Sequence, residues 1–169
     1  MCHTPLVDRV LNRDDAPKHN PASPSDEARC VFCAVITGRA PAVIIHENER
    51  LISFLDHRPV FHGHTLLVPK LHVQVLSELP PDRVEEFFCE AQRLERAVET
   101  GLEADGSMIL INNVVSQSVP HLHLHVIPRR RKDGLRFWLG PRHRYDAAHP
   151  ADRYGDQIRA ALSAQQALG

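Results

Sequence analysis

Residues 120–128, Pro-His-Leu-His-Leu-His-Val-Ile-Pro, alternate with a strict period of two. Successive side chains of a β-strand point to opposite faces. His121, His123 and His125 therefore share one face, and Leu122, Leu124 and Val126 the other. A helix would scatter the same imidazoles around its circumference. The leucine face demands a core, which leaves the histidine face as the open, chemical one. Two chemistries fit three imidazoles placed in this way. A pair at i and i+2 can chelate a transition metal. Alternatively, one imidazole is a nucleophile tuned by its neighbours, because its neutral form is well populated near pH 7.

The pattern elsewhere predicts what this strand packs into. Val43–His46 and Leu51–Leu55 flank a turn at Glu47-Asn48-Glu49 and read as a hairpin. Phe61-His62-Gly63 is a turn, and His64–Val68 an apolar strand stopped by Pro69. Val84, Phe87, Phe88, Ala91, Leu94, Ala97 and Val98 recur at three- and four-residue steps, which predicts a long helix. Pro80 and Pro81 introduce it and Gly101 closes it. Met108–Ile111 is a further strand, and His121–Ile127 is the last. Tyr154, Ile158, Ala161 and Leu162 give a weaker helix. Five short strands, one long helix and one or two short ones imply an α+β fold with a mostly antiparallel sheet. Its exposed edges offer a pairing surface for a dimer.

With 169 residues, one folded domain is expected over 29–130. Residues 1–28 hold Pro5, Pro17, Pro21 and Pro24 with many charges and read as a flexible arm. Residues 131–169 read as a basic extension with a helix. Asp8, Arg9, Asp14 and Asp15 interrupt any leader-like apolar run, and no stretch is long enough to span a bilayer, so a cytoplasmic location is expected. The net charge of −1 provides no global field for nucleic acid. Residues 129–144, however, carry seven basic side chains against Asp133 alone, a local net charge of +6. A run of that sign suggests an anionic ligand, with Arg129 and Arg131 holding phosphates, unless it is simply a solvated face. Cys30 and Cys33 form a Cys-x-x-Cys pair. It follows a Pro/Ser-rich arm, not a strand of a βαβ unit, which disfavours a thioredoxin-type redox role.

His-Leu-His-Leu-His-Val-Ile-Pro-Arg at 121–129 resembles the motif of the histidine-triad (HIT) superfamily. Gln117-Ser118-Val119 precedes it as in that family. Phe54-Leu55-Asp56, followed by Gly63-His64-Thr65-Leu66-Leu67-Val68-Pro69-Lys70-Leu71-His72, is similar to the family's N-terminal block. The resemblance runs from about Cys30 to Arg129. It implies a HIT-like fold, often completed by dimerisation, and a nucleotidyl hydrolase or transferase that cleaves at a nucleotide α-phosphate. His123 matches the attacking histidine that carries a covalent nucleotidyl intermediate. His125 matches the position that assists near the leaving group, where the uridylyltransferase branch has glutamine, and His64 supports the cluster. Asp56 and His57 match ribose-holding positions; Asn112, Gln117 and Ser118 match nucleotide- and phosphate-binding ones. Dinucleoside polyphosphates or nucleoside phosphoramidates are the implied small-molecule substrates. Phe32, Leu51 or Phe54 would line the base.

Some members of that superfamily bind zinc through a Cys-x-x-Cys pair and two histidines. Cys30, Cys33, His72 and His121 match that set and would make a closed, structural Cys2His2 site. Charge developing on a phosphate can be met by imidazolium, Ser and Gln groups, so no catalytic metal is expected. One departure stands out. Asn112-Asn113-Val114-Val115-Ser116-Gln117 contains no glycine, where many relatives have a glycine-bearing loop. The rival classes are a nucleotide-binding regulatory or interaction protein with little turnover, and a metal enzyme using the triad as ligands.

Overall fold

A computed structural model describes residues 24–135 and 145–167 of the chain. The chain divides into two compact units, and the one bearing the sheet extends to Asp133. Two six-residue helices open it, α1 (Pro24–Arg29) and α2 (Val31–Ile36). Strands β1 (Ile44–Glu47), β2 (Leu51–Leu55) and β3 (Thr65–Pro69) follow. After a 3-10 turn at Leu76–Glu78 come the long helix α3 (Pro81–Gly101) and strands β4 (Gly106–Ile111) and β5 (Leu124–Arg129). The five strands form one sheet in the order β1-β2-β3-β5-β4, every pair antiparallel. The other unit contains the helix α4 (Ala151–Ala167), the element expected from Tyr154 and Ile158. No described helix is long and apolar enough to cross a membrane. The expected arm falls mostly outside the described residues, except that Pro24 to Ala28 are helical.

The alternation of β2, β3 and β5 sends side chains into two separate cores. On one face Leu51, Leu67, Leu122, Leu124 and Val126 meet Phe87, Ala91, Leu94 and Val98 of α3. Those α3 residues lie on one stripe at helical spacing, and Pro81 at the first turn fixes where the helix starts. On the opposite face Ile52, Phe54, Leu66 and Val68 pack against Cys30, Phe32, Cys33 and Val35. The short α2 thus roofs the face that carries the histidines.

This corrects one expectation. The histidine face is not open: His121 is fully buried and His123 is 2% exposed. The alternation required one buried face but left the fate of the other to whatever packs over it, here α2. A second correction concerns register. The ladder of β5 begins at Leu124, opposite Leu67, so His121 to His123 lie upstream of it. There the Leu122 amide donates to the Val73 carbonyl (2.6 Å), across the chain that turns away after β3.

Candidate active site

The conformation of Cys30 to Cys33 follows from helix capping. Cys30 is extended and its Sγ accepts from the Cys33 amide at the start of α2. Both sulfurs thereby face inward, buried, toward two imidazoles. Cys33 Sγ lies 3.1 Å from His72 Nδ1 and 3.6 Å from His121 Nδ1; Cys30 Sγ lies 3.4 Å from His121 Nδ1. A tetrahedral zinc with ordinary Zn–S and Zn–N bonds separates its sulfur and nitrogen ligands by about 3.5 Å. The donor set therefore fits zinc in both chemistry and spacing. His121 Nε2–H donates to the Pro69 carbonyl (2.8 Å), which leaves Nδ1 with its lone pair toward the sulfurs. Burial, with Cys30 alongside, pushes the Cys33 thiol up to about 12. A bound cation reverses that preference and favours the thiolates.

His121 also reaches the next histidine. Its main-chain carbonyl accepts a 2.6 Å hydrogen bond from His123 Nδ1. That bond fixes the tautomer: Nδ1 carries the proton and Nε2 keeps the lone pair. Burial is the largest influence on His123 and lowers its pKa from the usual 6.5. Phe32 packs edge-on against its ring at 5.1 Å. An imidazole oriented in this way, with its pKa lowered, has the chemistry to act as a nucleophile.

The third part of the cluster comes from β3 and β5. Gly63 precedes His64 with φ +91°, and a Cβ there would collide with Leu102 at the end of α3. Glycine is required at this turn, and it delivers His64 buried beside β5. The Val60 amide donates to His64 Nδ1 (3.3 Å), so the proton sits on Nε2 and is donated to His125 Nδ1 (2.9 Å). His125 Nε2 is then a proton-bearing nitrogen, buried and without a partner, on a ring 4.8 Å from that of His123. Burial first, then His123 and His64, push His125 down to about 4. Burial also lowers His64, against the opposing pull of Asp56, whose Oδ2 lies 3.6 Å from His64 Nδ1. Asp56, His64 and His125 are close enough to hold a metal, but their facing imidazole nitrogens are engaged with each other.

The remaining predicted residues divide. Asp56 lies at the end of β2 and accepts from the Arg58 amide (2.8 Å), while His57 beside it is exposed. Asn112 is half-buried just past β4, and Ser118 is exposed. Gln117 is used within the protein: its Oε1 accepts from the Val114 amide (3.0 Å) and its Nε2 donates to the Gln74 carbonyl (2.6 Å). It staples a loop in which Val114 and Ser116, at φ +67° and +61°, occupy the left-handed region. Leu51 belongs to the core under α3, away from Phe32 and Phe54.

The basic run behaves differently from the expectation. Arg129 forms a two-pronged pair with Asp133, including Nη2 to Oδ1 at 2.8 Å. Arg130 donates to the Leu102 and Glu103 carbonyls at 2.7 Å each, and the Arg131 amide donates to Asp105. These contacts tie the far end of β5 to the end of α3. Arg129, expected to hold phosphate, is instead spent on a turn four residues past His125. Arg136, Phe137, Trp138, Arg142 and Arg144 lie outside the described residues. Sequence reasoning also missed the backbone partners that set the tautomers, at Val60, Pro69 and His121. A backbone group leaves no signal in residue identity.

The HIT domain family model matches residues 37–132. An uncharacterized HIT-like protein of Mycobacterium tuberculosis is 40% identical over 140 residues, 82% of this chain and 96% of its own. An Arabidopsis thaliana adenylylsulfatase is 35% identical, over 63% of this chain and 55% of its own. A Saccharomyces cerevisiae adenosine 5′-monophosphoramidase is 33% identical, over 64% and 68%. Among solved structures, a zinc-bound histidine triad family protein from Mycobacterium smegmatis is 40% identical with a TM-score of 0.62, covering 85% of this chain and 99% of that one. A family match over more than half the chain, joined to 40% identity across nearly all of a relative, makes this chain a member of the HIT family.

Proposed function

We propose that the chain is a nucleotidyl hydrolase or transferase in which His123 Nε2 attacks the α-phosphorus of a bound nucleotide. The observation that carries this is the 2.6 Å bond from His123 Nδ1 to the His121 carbonyl, which aims the Nε2 lone pair away from its own backbone. The P–N bond to His123 forms as the bond to the leaving group breaks. Water then releases the nucleotide and restores His123. His125 Nε2–H is the donor for the phosphate oxygens or the departing group, with His64 holding it in that tautomer. Ser118 adds a hydroxyl donor, and Gln117 acts by holding the loop that carries it. Asp56 and His57 would meet the ribose, and Asn112 the nucleotide. The relatives named adenylylsulfatase and phosphoramidase support a nucleotide with a variable leaving group. The direct test is acid-free denaturation of enzyme mixed with substrate, followed by mass spectrometry of the peptide that contains His123. A nucleotide-monophosphate adduct is expected, and its absence under turnover would remove the mechanism.

Zinc in this reading is structural. Cys30, Cys33, His72 and His121 would hold it, leaving no open position for water. It would lock α2 over the histidine face. A homodimer is proposed through the outer edge of β4. Phe88 and Ile109, both more than two-fifths exposed, line a groove of about 460 Å³ there with Ala91, Gln92, Glu95 and Ser107. An unpaired strand edge beside exposed apolar side chains suits a second copy of the same surface.

A further inference from the structure

The four donors around Cys30 and Cys33 are not held alike, although their ligand atoms all lie within 4.8 Å of one another. His121 is tethered from outside the cluster, its Nε2–H donating to the Pro69 carbonyl (2.8 Å). His72 is not. Its Nδ1 lies toward Cys33 Sγ, and its Nε2 is buried without a hydrogen-bond partner among the described residues. A metal ligand that lacks an outer hydrogen bond holds its ion more weakly, typically by about 10- to 100-fold. The two sulfurs belong to neighbouring groups, with the Cys33 amide donating to Cys30 Sγ (3.5 Å). Cys30 also lines a recess of about 370 Å³, and four other residues of that wall, Arg29, Val31, Ser118 and Pro120, are exposed. Cys33 is not in that lining. A small solute therefore has a way to one residue of the thiol pair, at a cluster with one loosely held ligand.

We propose that Cys30 and Cys33 are a site of reversible oxidation, at which a peroxide joins the two sulfurs in a disulfide, releases the zinc and unlocks α2 from the histidine face. The inference rests on the zinc reading above. Zinc-bound cysteines are thiolates, the form that attacks a peroxide. Cys30 Sγ takes one oxygen as the O–O bond breaks, which gives a sulfenic acid; the other oxygen leaves as hydroxide and takes up a proton to become water. The Cys33 thiolate then attacks the Cys30 sulfur. The S–S bond forms, the S–O bond breaks, and the second oxygen also leaves as water after protonation. The two sulfurs have given up two electrons, and the peroxide has accepted them. The sulfurs start at most 4.8 Å apart, a gap of the size that side-chain rotation closes to the ~2.05 Å of an S–S bond. Zinc stays divalent and departs, because a disulfide sulfur is no longer a thiolate ligand. The disulfide ties α2 to its own cap and cuts it from His72 and His121. The loss reaches the nucleophile, because the carbonyl that holds His123 Nδ1 belongs to His121.

The test starts from the zinc-loaded protein treated with hydrogen peroxide. A chromophoric chelator should register one zinc released for each disulfide formed. Cys30 and Cys33 share the tryptic peptide 30–39, which should become lighter by two hydrogens. Amide exchange over α2 should rise, and hydrolysis of an AMP phosphoramidate should slow by roughly tenfold or more. Dithiothreitol with added zinc should reverse all four changes. Cys30→His keeps a zinc-binding side chain but cannot form the disulfide, so its zinc should survive the treatment that empties wild type. If that variant does not hold zinc, the reversal in wild type decides by itself. Three results would each overturn the proposal: zinc that stays bound at peroxide levels that oxidise free cysteine, a peptide 30–39 that gains oxygen in place of the disulfide, or zinc release with α2 exchange and turnover unchanged. A protein that purifies without zinc would overturn the zinc reading and this proposal together. A reduced, zinc-loaded protein with no turnover would remove nucleotidyl transfer alone, since the disulfide, zinc and exchange readouts do not depend on it.

Discussion

Single residues carry the sharpest consequences. In the proposed mechanism His123→Ala removes the attacking nitrogen, and turnover should fall by roughly three orders of magnitude or more. Nucleotide binding should persist, while the melting temperature should fall modestly, because the buried ring packs on Phe32 and its removal leaves a cavity. Burial lowers the pKa of His123, His64 and His125 from 6.5, His125 to about 4. The nucleophile therefore stays neutral below the pH at which a free imidazole protonates. The acid limb of kcat/KM should lie below pH 6.5 rather than at it. The same groups make a stability statement. Each binds protons more weakly folded than unfolded, so stability is fully present above pH 6.5 and is lost as pH falls from there toward 4. Thermal melts at pH 7.5 and pH 5 check the sign, and a higher melting temperature at pH 5 would contradict it. Val114→Gly addresses strain instead. Valine at φ +67° is costly, and glycine adopts that conformation freely. A gain of about 1 kcal/mol is expected after allowing for the more flexible unfolded chain, measured by chemical denaturation.

At the scale of elements, α2 is the weak part. It has six residues, too few to stand as a helix by propensity. It is held by Phe32, Cys33 and Val35 in the second core and by the donor cluster it shares with the segment after β3 and the start of the triad. Zinc should co-purify at about one per chain. His72→Ala or Cys30→Ser should reduce that content and lower the melting temperature, as should a strong chelator. The effect should reach chemistry as well, because the carbonyl that orients His123 belongs to His121, itself one of the four donors. Metal analysis and kcat, followed together during chelation, would show it. A metal-free protein of unchanged stability would end the zinc reading. The Arg-rich end of β5 is a contrasting case. Opposite charges four residues apart close a turn, so Arg129 and Asp133 serve each other before any ligand.

For the whole molecule the open question is association. The β4 edge and the groove beside α3 expose Phe88 and Ile109 together. Light scattering coupled to size exclusion should report a dimer. Ile109→Lys should convert it to monomer by placing a charge on the edge strand, the device natural sheets use against pairing. A wild-type monomer at tens of micromolar would remove the dimer.

Much of this was legible in the residues. The period-two alternation at 121–126 required a strand-like segment with one buried face. The three- and four-residue spacing over Val84–Val98 required a long helix, and the Cys-x-x-Cys pair with His72 and His121 marked a donor set. These are local patterns, written by side-chain geometry along the chain. The roles within the site were settled elsewhere. Whether the histidine face was open depended on α2 folding over it, a contact between segments some ninety residues apart. The tautomers of His64, His121 and His123 were set by backbone groups, Val60 N–H, Pro69 C=O and His121 C=O, and every sequence has such groups at nearly every position. The meaning of Arg129 turned on Asp133 reaching it first. Alternation and spacing are properties of neighbours in sequence; burial, tautomer and ion pairing are properties of neighbours in space, and only the packed chain decides them.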